Sequence, residues 1–172
     1  GAEAALAPFE AVVDEVTQRA VGTGATAKKR VAPLKHVFRV LQKQATRADG
    51  GAPHECETAC DIVRGSIVSD SMRDLLTVLQ IVLELRSEGK LVLVRRKNRF
   101  QSPTAAGWAD AMLNIVCVAD TGDDSGGGRL SNHVCELQLI HATMLKARKE
   151  FGGHNAYAAF REAAELLACA VD

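Results

Sequence analysis

Residues 111–118, Ala-Met-Leu-Asn-Ile-Val-Cys-Val, constrain this chain more than any other stretch. The run is almost continuously apolar and is bounded by Gly107 on one side and a Gly/Asp/Ser-rich turn over 120–128 on the other. A short run of that kind reads as an interior strand, covered on both faces. A chain that contains such a strand has to build a sheet around it and cover the sheet with amphipathic helices.

The flanking sequence supplies both. Leu6, Phe9, Val13, Val16 and Ala20 recur at helical spacing, with Pro8 expected in the first turn and Gly22 and Gly24 ending the helix. A second helix is predicted over 33–45. Leu34, Val37, Phe38 and Leu41 would form its apolar face, Lys35, Arg39 and Lys43 would lie away from it, and Lys28, Lys29 and Arg30 would lead into it. The polar segment 48–57 reads as a loop, and 62–68 as a strand. Ser71-Met72-Arg73-Asp74 is a capping-box pattern. It opens a helix through Leu75, Leu76, Leu79, Val82, Leu83 and Leu85 that Gly89 stops. That helix is apolar over much of its circumference, which predicts thorough burial. Further strands are expected over 91–96 and 134–140, a helix over 142–150, and a last helix carrying Tyr157, Phe160, Ala164 and Leu167. The order predicts an α/β (α+β) fold, a mixed sheet of about four to five strands flanked by helices. The expectation is one domain over 1–172, with N-terminal helices in 1–47 packed on a core of 58–172.

Charge matters locally here. The formal net charge is +0, yet 28–47 holds Lys28, Lys29, Arg30, Lys35, Arg39, Lys43 and Arg47 without an acid, and Arg95, Arg96, Lys97 and Arg99 form a second acid-free run. Such clusters fit either an anion site or a solvated basic face. The 5 cysteines lack framework spacing, so reduced thiols and an intracellular compartment are expected, with no membrane span and no signal peptide. Neither a P-loop nor a dinucleotide fingerprint is present.

Two acids stand out. Asp61 leads the apolar strand 62–68, where a carboxylate has to be exposed, paired or metal-bound. In 133–139, His-Val-Cys-Glu-Leu-Gln-Leu, alternation places Glu136 and Gln138 opposite Cys135, Leu137 and Leu139. Two carboxylates on neighbouring strands can hold Mg²⁺ and leave its other positions to phosphates, whose charge the basic clusters would balance. A zinc set drawn from His54, Cys56, Cys60, His133 and Cys135 lacks zinc-site spacing. Cys117, Cys135 and Cys169 read as small buried hydrophobes. Trp108, beside Gly107, fits a packing role or a base platform. His154 and Tyr157 share a helix face.

On these residues the chain, from about Lys28 to about Arg161, resembles the synthetase domain of the RelA/SpoT family, which transfers a pyrophosphoryl group from ATP to a guanine nucleotide. Asp61 matches the family's strand-opening metal Asp. Glu136-Leu137-Gln138 matches its Glu-x-Gln strand. Lys97 falls in its lysine-containing strand, Gly107-Trp108 in its Gly-Tyr position, and Gly153-His154-Asn155-Ala156-Tyr157 in its His/Tyr helix. Ala109 and Ile140 stand where the family carries arginines. The resemblance implies a nucleotidyltransferase-like fold, with Asp61 and Glu136 as catalytic and metal-binding residues. It implies nucleotide contacts from Lys35, Arg39, Arg64, Lys97, Arg99, Trp108, Gln138 and His154. The implied partners are ATP or another NTP and a nucleotide acceptor. The alternative is a degenerate module of the same fold that binds a nucleotide, RNA or a protein, or serves as a structural subunit.

Overall fold

The computed structural model describes residues 1–38, 40, 60–104, 107–119, 129–131 and 133–150. Helix α1 (Ala2–Gly22) is followed by strands β1 (Lys28–Val31) and β2 (Arg64–Ser69), helix α2 (Met72–Ser87), strands β3 (Leu91–Asn98), β4 (Ala111–Ala119), β5 (Arg129–Leu130) and β6 (Cys135–His141), and helix α3 (Ala142–Glu150). The sheet runs β1-β2-β6-β4-β3, with β5 pairing β4 off that path. Only β2 and β6 pair in parallel; the other neighbours are antiparallel. The expected mixed sheet is present, and β4, the run that demanded it, lies inside.

One face of the sheet meets α1 and α2. Phe9, Val13 and Val16 of α1 and Leu75, Val78, Val82 and Leu85 of α2 pack on Ile67, Ile115, Leu137 and Leu139. Each such side chain contributes roughly 1.5–3 kcal/mol on full burial. Cys117 and Cys135 are buried in the same layer, as their apolar context predicted. Gly65 lies directly under Phe9: a Cβ there would meet the ring's Cε1 at 3.0 Å and the Arg30 carbonyl at 3.2 Å. Its missing side chain lets α1 approach β2.

Ser71 caps α2 by accepting from the Asp74 backbone N–H at 3.1 Å. The Asp74 carboxylate accepts from Thr26 Oγ1 at 2.6 Å, and Thr26 Oγ1 accepts from the Asp70 N–H at 2.8 Å. The cap therefore also ties the start of α2 to the segment before β1, and these bonds hold the Asp74 carboxyl below its usual range.

Four expectations change. Lys28, Lys29 and Arg30 form the edge strand β1 instead of a helix lead-in. Residues 32–36 are irregular and helical conformation begins at 37, so Lys35 precedes any helix; the remainder of the predicted 33–45 helix lies outside the described residues. Pro8 is inside α1, because the helix already starts at Ala2; the carbonyl that its ring leaves without a donor belongs to exposed Ala4. On α2, Met72, Leu76 and Leu83 remain exposed. The last predicted helix lies outside the described residues.

Candidate functional site

Alternation and register assemble the site on the sheet's second face. On β6, Cys135, Leu137 and Leu139 point to the helices, so Glu136 and Gln138 point away from them, half-buried. The parallel pairing sets Arg64 beside Glu136 and Ser66 beside Gln138. The antiparallel pairing on the other side sets Asn114 beside Glu136 and Met112 beside Gln138. Extending both rows to the edges gives Arg64–Glu136–Asn114–Arg95 and Arg30–Ser66–Gln138–Met112–Lys97. The first row thus spans β2 to β3, and the second, polar but for Met112, spans β1 to β3.

Glu136 Oε1 accepts from Gln138 Nε2 at 2.9 Å, which fixes the carboxylate along the strand. A cavity of about 170 Å³ opens here, lined by Arg30, Arg64, Ser66, Glu136 and Gln138 together with Val31, Ala32 and Gly65. It has one acid and two guanidinium groups, a composition suited to a small anion beside a carboxylate. Asn114, fully buried, bridges two elements: its Oδ1 accepts from Arg95 Nε at 2.8 Å, and its Nδ2 donates to the Cys60 carbonyl at 3.4 Å.

Asp61 reaches this face by a turn and not by strand alternation, since β2 begins only at Arg64. The chain after β1 runs back along 62–64, with Ala32 N–H bonded to the Arg64 carbonyl and Lys35 N–H to the Ile62 carbonyl. This places Lys35 Nζ 2.7 Å from Asp61 Oδ2, both side chains largely buried. The Asp61 carbonyl also accepts from Arg64 Nη1 at 3.4 Å. The two acids singled out by sequence therefore lie on segments that share Arg64 and Asn114 as neighbours.

Arg99 and Trp108 are differently engaged. Arg99 Nη1 donates to both oxygens of the buried Asp110 carboxylate, at 3.0 and 3.3 Å. Gly107, at φ +76°, turns the chain into Trp108 in a conformation that side chains rarely adopt. The Arg148 guanidinium of α3 covers the indole, 5.2 Å from the ring centroid. Arg39 and His154 lie outside the described residues.

The sequence reading missed Ser66, Asn114 and Arg148, and held Arg30 and Arg95 only as members of the two basic clusters. Arg30 was hidden because a basic edge strand has no apolar alternation, and Arg148 because its partner is forty residues away in sequence. Asn114 carried a usable signal, as the one amide inside the apolar run. Among the described residues no cluster of three or more His, Cys, Asp or Glu could hold a metal. Burial lowers the pKa of His133. No helix among the described residues is long and apolar enough to cross a membrane.

No protein-family model matches the chain, and no curated protein matches it in sequence. Solved structures match its fold. Small alarmone synthetase 2 from Bacillus subtilis superposes with a TM-score of 0.65 at 17% identity, over 93% of this chain and 78% of that one. Small alarmone synthetase 1 from the same organism, bound to its product pppGpp, gives 0.63 at 18% identity, over 92% and 78%. A GTP pyrophosphokinase family protein from Streptococcus pneumoniae gives 0.59 at 16%, over 90% and 76%. The nucleotidyltransferase-like fold that the sequence resemblance implied is thus the fold of the chain.

Proposed function

We propose that this chain transfers a pyrophosphoryl group from ATP or another nucleoside triphosphate to the hydroxyl of a nucleotide acceptor, with Mg²⁺ as cofactor. The observation that carries the proposal is the Glu136–Gln138 pair facing Arg30 and Arg64 across a cavity, on the same face to which the turn at 60–63 brings Asp61. The likeness in fold to a GTP pyrophosphokinase family protein, and to a small alarmone synthetase whose product is pppGpp, agrees with it.

The donor set fits a hard cation: Asp61 and Glu136 offer carboxylate oxygens, few in number, which suits Mg²⁺ because it keeps positions for water and phosphates. When bound by those two acids, the ion would neutralise phosphate charge. The remaining work falls to side chains. Arg30, Arg64 and Lys97 neutralise the triphosphate, and Lys35 holds the Asp61 carboxylate in place. The acceptor oxygen bonds to the β-phosphorus, the α–β bridging bond breaks, and a nucleoside monophosphate leaves. The hydroxyl proton passes to a carboxylate of the pair. Trp108 is the base platform, which requires Arg148 to move off the indole. Arg99 supports the site through Asp110, and Arg39 and His154 complete the nucleotide contacts proposed from sequence.

A second reading, a module that binds without turnover, draws on Ala109 and Ile140. Ile140, where the family resemblance calls for an arginine, is buried in this fold. Calorimetry of ATP binding with and without Mg²⁺, on the wild type and on Glu136→Gln, separates the cases. Mg²⁺-dependent binding that Glu136→Gln weakens, with AMP release when a guanine nucleotide is added, supports the enzyme. ATP binding without AMP release in the presence of any nucleotide acceptor supports the second reading. No binding to ATP or GTP in either condition removes both as nucleotide proteins.

A further inference from the structure

The interior strand β4 carries one amide, Asn114, and it is fully buried. Leu113 and Ile115 on either side of it point into the helix-covered core, so Asn114 points to the other face. A buried amide costs stability wherever its polar atoms go unmet, and an apolar side chain would serve packing alone better. What Asn114 bonds is therefore its use. Its Oδ1 accepts from Arg95 Nε at 2.8 Å. A guanidinium can only donate, so this contact fixes which way the amide faces. The Nδ2 group is thereby turned to the chain before β2, where it donates to the Cys60 carbonyl at 3.4 Å.

That carbonyl is the first of four in a row, each held by a donor outside the segment 60–63. The Asp61 carbonyl accepts from Arg64 Nη1 at 3.4 Å. The Ile62 carbonyl accepts from the Lys35 N–H at 3.0 Å, and the Val63 carbonyl from the Glu136 N–H at 2.9 Å. The two ends of the segment are thus anchored to Asn114 and Glu136, which face each other across the β4–β6 pair. Asp61 lies between those anchors. At the Val63 end the anchor joins backbone to backbone and is indifferent to residue type. At the Cys60 end it is a single side chain. We propose that Asn114, oriented by Arg95, is a positioning residue for Asp61: it sets how far the Asp61 carboxylate stands from Glu136, and so the cation site that the two acids form. This inference rests on the reading of Asp61 and Glu136 as a cation pair given above. Residues that orient metal ligands in this way change metal affinity by about 10–100-fold when replaced.

The test uses the whole chain as wild type, Asn114→Leu and Arg95→Met. Asn114→Leu keeps the branch at Cγ and removes the bonds to Arg95 and Cys60. Arg95→Met, at an exposed side chain, leaves the amide in place and frees its orientation. The first readout is amide hydrogen exchange without nucleotide or metal. Exchange at Lys35 and Glu136, whose N–H groups bond the segment, is expected to quicken about tenfold or more in Asn114→Leu and less in Arg95→Met, with Ile67 and Leu139 unchanged. The second readout is the Mg²⁺ concentration for half-maximal ATP binding by calorimetry. It is expected to rise about tenfold or more in Asn114→Leu, while ATP affinity in the presence of chelator stays at the wild-type value. If Asn114→Leu does not fold, Arg95→Met decides by the same two readouts. Unchanged exchange at Lys35 and Glu136 overturns the inference, and so does faster exchange that extends to Ile67 and Leu139, which marks a role in the sheet at large. A wild type that binds MgATP, with an unmoved Mg²⁺ midpoint in the variants, overturns the role of Asn114 and leaves the proposed function standing. A wild type whose ATP binding ignores Mg²⁺ overturns the cation pair itself, and the role of Asn114 falls with it.

Discussion

Removing the Arg99 side chain tests whether that cation serves the fold or a ligand directly. The Asp110 carboxylate is fully buried and takes two bonds from Arg99 Nη1 at 3.0 and 3.3 Å, while the Arg99 side chain retains 25% of its exposure. Breaking a buried pair from one side leaves an uncompensated charge and costs about 3–5 kcal/mol. Water can approach the guanidinium side here, so the expectation for Arg99→Ala is about 2–3 kcal/mol. For a chain of this size that lowers the melting temperature by roughly 2–4 °C per kcal/mol. Urea unfolding followed by far-ultraviolet circular dichroism gives the free energy directly. The double variant R99A/D110N removes the stranded charge and should be less destabilised than the sum of its singles by at least about 1 kcal/mol. Arg99→Ala within about 0.5 kcal/mol of the wild type, or strict additivity in the cycle, refutes the reasoning. Measured well below the melting point, Arg99→Ala should leave MgATP affinity near the wild-type value; a large loss would return Arg99 to the phosphates.

Three further outcomes are expected. Glu88 is pushed down to about 2, chiefly by Arg19 and then by Lys90, and Glu15 is lowered chiefly by Lys90. Because both folded values lie below the ordinary 4.5, this network's stabilisation is complete above that pH and is lost as pH falls from there toward 2. The acid limb of melting temperature against pH should be shallower for Glu88→Gln and at about 1 M salt; superimposable limbs would count against it. Gly65→Ala forces a methyl onto the Phe9 ring at 3.0 Å. Thermal melts should show a loss of about 1–3 kcal/mol, reduced in the background of Phe9→Leu, and a neutral Gly65→Ala would mean that α1 yields freely. Trp108 is the 1 tryptophan of the chain, so intrinsic fluorescence reports its surroundings alone. Arg148→Ala should change the emission, and MgATP or a guanine nucleotide should change it again if the indole receives a base; no response to either nucleotide argues for a purely structural Trp108.

The sequence by itself determined the local elements whose signal is a period. Alternation in 133–139 separated Glu136 and Gln138 from the core residues of β6, the apolar run 111–118 announced the interior strand β4, and the Ser71 cap and Gly89 bracketed α2. Such patterns are legible because burial acts residue by residue along one element. Which elements become neighbours is decided by pairing across long stretches of chain, and that left no local mark. Parallel pairing of β2 with β6 set Arg64 opposite Glu136, pairing with β2 made a strand of Lys28–Val31, and the turn before β2 carried Asp61 to the second face. Fate within a cluster was equally non-local: of three adjacent basic residues, Lys28 and Arg30 share the site's face, while Lys29 turns to Asp14 of α1. Arg99 was drawn to Asp110 because a buried carboxylate needs a cation more than solvent does. Backbone pairing and the cost of burying charge without a partner, both properties of the assembled fold, made the site from residues whose types alone had only nominated them.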